Sequence, residues 1–172
     1  MAIVFSMEIS FLNEEYSLRE VQKILKNNLI DKGRIKFHTP DSTFVTKNGR
    51  DPRQIGIIPK NIGIAVSFDP PGEQIIPTEE ESLYIIETMY KSVKDLPHYK
   101  MALAGWEISY LDNLFEYDEN GNKKSITEIE GLVVCNELLK NCTQDLNNWA
   151  KFDEEHSWIP YSSIDEFCLM PE

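Results

Sequence analysis

Reactive side chains are scarce in this sequence. It has three cysteines and three histidines. Cys135, Cys142 and Cys168 cannot all pair within one chain, and an odd count fits a reducing compartment better than a disulfide framework. His38, His98 and His156 lie far apart, each without a second His or Cys at ligand spacing, and neither HExxH nor CxxC occurs, so no metal centre is expected. A Gly-x-Ser-x-Gly elbow, a Walker loop and a dinucleotide glycine fingerprint are missing as well, which leaves no motif for nucleophilic or nucleotide chemistry. Long apolar runs are also absent. The opening MAIVFSMEISF has no basic flank and no small-residue cleavage site, and its apolar stretch is too short to span a bilayer. The expectation is a cytoplasmic protein with no cofactor and no membrane association.

Positive charge is the next shortage. Lys and Arg number 17 against 29 Asp and Glu, for a net charge of −12. The imbalance is uneven: residues 1–60 hold 10 basic against 7 acidic side chains, and residues 61–172 hold 7 against 22. A dense negative field draws in cationic surfaces and repels phosphate backbones and anionic membranes, so the charge predicts a basic protein as partner and argues against nucleic acid. At 172 residues the chain suits one domain, residues 1–172, able to bury roughly 70% of its unfolded surface.

The elements read as mixed α and β. Ile3, Phe5, Met7, Ile9 and Phe11 alternate with Val4, Ser6, Glu8 and Ser10, a strand with one buried face. Ser17 with Glu20 forms a capping box, and Leu18, Val21, Leu25 and Leu29 then recur at helical spacing to about Ile30, where Asp31-Lys32-Gly33 stops the helix. Short strands are expected over 34–38, 43–47 and 62–68. Between the last two, Asn48–Asn61 reads as a basic loop, because Gly49, Pro52, Gly56 and Pro59 disfavour regular structure. Thr78 with Glu81 caps an amphipathic helix on Leu83, Ile86, Met89, Tyr90 and Val93, closed by Leu96-Pro97. Trp106, Ile108 and Tyr110 alternate as a strand, and 114–117 and 124–129 flank a polar, Gly-containing hairpin tip. Cys135, Leu138, Leu139, Cys142, Leu146 and Trp149 share one helical stripe, while Leu132-Val133-Val134 before them fits strand or helix. The predicted fold is α+β: one domain, a mainly antiparallel sheet with about three helices packed on one face.

Several constellations can be weighed against this frame. Asp118, Asn120 and Asn122 imitate the start of a calcium loop, but Lys123 stands where the turn glycine belongs and Ile129 where the bidentate glutamate belongs. Cys135 and Cys142 lie on an apolar stripe, the setting of small buried hydrophobes rather than thiolates. Arg50 and Arg53 would suit a small anion, yet Asp51 sits between them and the loop reads as a connection. Adjacent acids with rings nearby remain. Glu116, Tyr117, Asp118 and Glu119 on the hairpin, with Asp153, Glu154, Glu155 and Trp158 on a later loop, combine carboxylates that steer a basic partner with aromatic groups that anchor it.

The opening strand MAIVFSMEISF, and the helix at 79–93 leading into GWEISYLD, resemble the small cytosolic immunity proteins of bacterial polymorphic-toxin systems. That resemblance implies a single-domain α+β protein, not an enzyme, that neutralises a cognate secreted toxin domain by direct contact. Two other readings stay open: a phage anti-defence protein that mimics nucleic acid by its negative surface, and a small carboxylate-dependent hydrolase or transferase.

Overall fold

A computed structural model describes residues 3–11, 18–38, 54–64, 74–106, 108, 111, 126, 129–140 and 146–162. The expected elements at 43–47 and 114–117, most of the one at 124–129, the Ser17 cap, and Arg50, Arg53, Glu116, Tyr117, Asp118, Glu119, Cys142 and Cys168 lie outside the described residues. Those described form an α+β domain, with seven strands in one antiparallel sheet and three helices.

Strand β1, Ile3–Phe11, lies inside the sheet. On one edge it pairs with β4, Tyr99–Trp106, from Phe5 opposite Trp106 to Phe11 opposite Tyr99, with a register shift between Ser10 and Phe11. It also pairs with β2, Gln54–Ile57, and toward its start with β3, Gly63–Ile64. The sheet continues from β4 through β5, Val133–Cys135, to β7, His156–Trp158, and ends on β6, Ala150–Lys151.

Period-two alternation divides the sheet residues between two apolar clusters. Phe5, Met7, Ile9 and Phe11 join Ala102, Ala104 and Val133 on the face covered by α1, Leu18–Asn28, and α2, Glu79–Val93. Helix α1 has 11 residues, too few to persist alone in water, so its buried Val21 and Leu25 hold it against the sheet and α2. Helix α2 lays Ile85, Ile86, Met89, Tyr90 and Val93 on the same cluster, each burial stabilising by roughly 1.5–3 kcal/mol. Its start is fixed as expected. Thr78 Oγ1 accepts the Glu81 N–H at 3.3 Å, and Glu81 accepts the Thr78 N–H at 2.8 Å. The Arg34 guanidinium grips the same carboxylate with two 2.7 Å bonds, and chiefly this pairing, with the Thr78 bonds, holds Glu81 down at about 2. On the other face Met101, Leu103 and Val134 meet Leu111, Ile126, Leu132 and Leu139. Leu139 comes from α3, Asn136–Leu139, so the single turn of α3 serves this second cluster while the two long helices serve the first.

Three local expectations are corrected. Residues 54–57, assigned to the 48–61 loop, are the buried strand β2, because Ile55, Ile57 and Ile58 are core residues. Gly56 belongs in that strand for a steric reason: a Cβ there would lie 3.0 Å from Glu8 Oε1. The strand expected from Trp106 onward instead ends at Trp106, and Ile108 packs beside Gly105. The stripe from Cys135 to Trp149 is interrupted: Cys135 ends β5, α3 is one turn, and Leu146–Trp149 forms a turn closed by a 3.0 Å bond from Trp149 N–H to Leu146 O.

Between β4 and β5 the ladder pairs only Met101 with Val134 and Ala102 with Val133. Beyond it, tyrosine hydroxyls take over. Ala104 N–H donates to Tyr90 Oη at 3.2 Å, Tyr90 donates to Gly131 O at 2.8 Å, and Tyr161 donates to Ala104 O at 3.3 Å, with the two hydroxyls 2.6 Å apart. Burial pushes both phenols well above the usual tyrosine range. Gly131 has φ +78°, and a Cβ there would lie 1.8 Å from Tyr161 Oη.

Candidate functional site

The candidate partner-binding residues that fall within the described chain, Asp153, Glu154, Glu155 and Trp158, sit on the β6–β7 hairpin at the end of the sheet. The hairpin is short: Ala150 pairs with Trp158 and Lys151 with Ser157, and the N–H groups of Phe152 and Asp153 both reach His156 O, at 3.0 and 3.2 Å. That closure leaves residues 152–155 as its tip.

The tip divides into an inner and an outer half. Asp153 turns inward. Its Oδ1 accepts the backbone N–H groups of Glu155 and His156, each at 2.8 Å, and lies 2.9 Å from His156 Nδ1. Its Oδ2 accepts the Tyr99 hydroxyl at 3.2 Å. Burial pushes the Asp153 carboxyl up, but the hydrogen bonds from His156 and Glu155 outweigh it and hold the group below the usual aspartate range. His156, 3% exposed, stacks on the Tyr99 ring at 3.7 Å between centroids and 6° between planes, with Nε2 3.0 Å from Tyr99 O. Each ring nitrogen thus faces an oxygen, Nδ1 the Asp153 carboxylate and Nε2 the Tyr99 carbonyl. Trp158 is half-buried against Tyr90, Phe152 and Tyr161.

Glu154 and Glu155 point outward. The Glu154 side chain is 90% exposed and pairs at 2.6 Å with Lys151, itself 65% exposed. The acid run read in the sequence therefore consists of one structural carboxylate and two solvent-facing ones. Because Asp153 fixes the backbone that carries them, Glu154 and Glu155 project from a pre-formed turn, and a partner would not pay to order it. Among the described residues no three His, Cys, Asp or Glu side chains converge as a metal would require.

A second polar feature escaped the sequence reading. On β1, Ser6, Glu8 and Ser10 face away from the two long helices, and Gln54 stands opposite Ser10 on β2. Ser6, Ser10 and Gln54 are buried and Glu8 is half-buried. Burial raises the Glu8 carboxyl to about 7, against a smaller lowering by the Ser6 hydroxyl, which donates to Oε1 at 3.1 Å. A carboxyl so placed can give or take a proton near neutral pH. The available signal was the alternation Ser-x-Glu-x-Ser in a strand whose other face is wholly apolar. It reads as a solvated face until the opposing strands are known to be Leu103 on one side and Gly56 on the other.

Cys135 is buried and unpaired to any other cysteine, and burial raises its thiol, the setting of a packing residue. No helix among the described residues is long and apolar enough to cross a membrane. Compared with family models, with curated proteins and with solved structures, the chain returns no match.

Proposed function

We propose that this chain binds a basic protein partner by direct contact and neutralises it, in the manner of an immunity protein acting on a cognate toxin domain. The observation that carries the reading is the β6–β7 tip, where half-buried Asp153 ties the turn to the buried His156 and Tyr99, and Glu154 and Glu155 face solvent. Two further facts support it. The net charge of residues 61–172 is strongly negative, and Glu79, Glu80 and Glu87 add exposed carboxylates along α2. Exposed acids of this kind act mainly by steering a cationic surface into encounter, so they set the association rate and its salt dependence more than the final affinity.

The test is co-expression with the polypeptide encoded by the gene immediately upstream, in a host that this polypeptide kills. Wild type is expected to restore growth, and Glu154→Lys with Glu155→Lys to restore it less. A neighbour that is not toxic, or equal rescue by the charge-reversed variant, counts against the proposal.

A further inference from the structure

Between the last turn of α1 and helix α2 runs a groove of about 330 Å³, within the size range of sites that hold ligands. Asn28 and Ile30 form one wall and Tyr84, Glu87, Thr88 and Lys91 the other, with Asp95 at the far end. Its floor holds a polar group that the fold leaves unused. Thr88 is 8% exposed, yet its hydroxyl has no hydrogen-bond partner among the described residues. A buried hydroxyl on a helix ordinarily bonds back to a carbonyl one turn earlier, as Ser92 does to Met89 O at 2.7 Å. Thr88 instead lines the groove.

Two carboxylates flank that hydroxyl. Glu87 is exposed, and Asp95 gives one oxygen to Asn28 Nδ2 at 2.8 Å and keeps the other open. Three cations stand nearby. Lys91 lies one helical turn from each carboxylate but is exposed and forms no ion pair with either. Lys32 covers the Tyr84 ring at 4.9 Å and pairs with Glu80, and Lys94 is turned toward the Phe152 ring, also at 4.9 Å. The entrance is apolar: Ile30, 63% exposed, is one of two large apolar side chains left in water among the described residues, and its carbonyl accepts the Tyr84 hydroxyl. An apolar entrance leading to a carboxylate and an unused hydroxyl matches a long aliphatic stem with a cationic head.

We propose that this groove receives an arginine side chain of a peptide, the stem lying on Ile30 and Tyr84 and the guanidinium donating to the Thr88 hydroxyl and the Glu87 carboxylate. Arginine fits better than lysine because its fork of donors meets two neighbouring acceptors at once. That the peptide belongs to the basic partner rests on the reading above, and the two surfaces adjoin: Lys94, next to Asp95 at the end of the groove, lies over Phe152 at the start of the β6–β7 tip.

The test titrates the full chain with N-acetylarginine methylamide and follows the backbone amide signals by NMR. The expected result is saturable shifts centred on Tyr84, Glu87 and Thr88, with binding about threefold weaker in Glu87→Gln and about fivefold weaker in Thr88→Val. Lys91→Ala, which removes a competing ammonium, should bind about twofold tighter, and the norleucine analogue, which keeps the stem and lacks the cation, should not saturate. Glu87 is exposed, so Glu87→Gln should melt with wild type and keeps the test open if Thr88→Val does not fold. Glu154→Lys with Glu155→Lys should leave this titration unchanged, so the groove and the acidic tip stand or fall separately. No saturation, shifts spread evenly over the acidic surface, or wild-type affinity in Glu87→Gln would overturn the proposal.

Discussion

Removing the Asp153 carboxylate should destabilise the protein by about 3 kcal/mol, although the residue lies on a hairpin tip at the edge of the sheet. Asp153→Ala takes the acceptor from four donors: the N–H groups of Glu155 and His156, His156 Nδ1 and the Tyr99 hydroxyl. The two backbone groups lie at the turn and can turn to water at little cost. His156 and Tyr99 cannot, being 3% and 1% exposed, and each buried orphan costs about 1–3 kcal/mol. The middle of that range for two groups, less what relaxation recovers, gives about 3 kcal/mol, or a melting temperature lower by roughly 10 °C in a chain of this size. Urea unfolding followed by far-UV circular dichroism reads it, with an unchanged denaturant slope showing that the native state keeps its compactness. Glu154→Ala and Glu155→Ala are the controls and should sit close to wild type. The acid side gives a second reading. Asp153 is held below its ordinary value, so its contribution is complete above about pH 4, where the unfolded residue is also ionised, and is lost as pH falls through the lower folded value. Wild type should therefore lose stability in that acid window and Asp153→Ala should lose less. An Asp153→Ala variant within about 1 kcal/mol of wild type would refute the reasoning.

Three other perturbations have defined outcomes. Glu8 is raised to about 7 in the folded state, so its contribution is full below the unfolded value near 4.5 and is lost as pH rises toward 7; Glu8→Gln should flatten that slope and gain about 2 kcal/mol at pH 8 by thermal or urea unfolding. Gly131→Ala forces a side chain into φ +78° and onto the Tyr161 hydroxyl, and by urea unfolding it should cost about 3–5 kcal/mol through strain and the broken tyrosine bonds. Thr78→Ala removes the capping oxygen of α2 and should cost about 1 kcal/mol in the same assay.

Legibility followed local chemistry. Strand β1 and helix α2 were readable because their patterns are complete within a few residues: an alternation broken only at Val4 for one, and a capping box with a helical stripe for the other. Strand β4 was not, since both of its faces are buried and Met101, Ala102, Leu103 and Ala104 give no alternation of polarity. Strand β2 was hidden by Gly56 and Pro59, whose reasons are tertiary: Glu8 leans over the first, and Phe37 bridges to the second. In the candidate site, the acid run 153–155 was visible as charge. Which of its members turns inward depends on His156 and Tyr99, and Tyr99 is 54 residues away in sequence.

The central claim is that the pre-formed acidic tip recruits a basic partner, and stopped-flow association with the purified product of the upstream gene tests it most directly. Comparing wild type with Glu154→Lys and Glu155→Lys at low and physiological salt, the account predicts association at least several-fold slower at low salt for the double variant, a weaker salt dependence and unchanged folding. Equal association rates for the two proteins at both salt concentrations would contradict it.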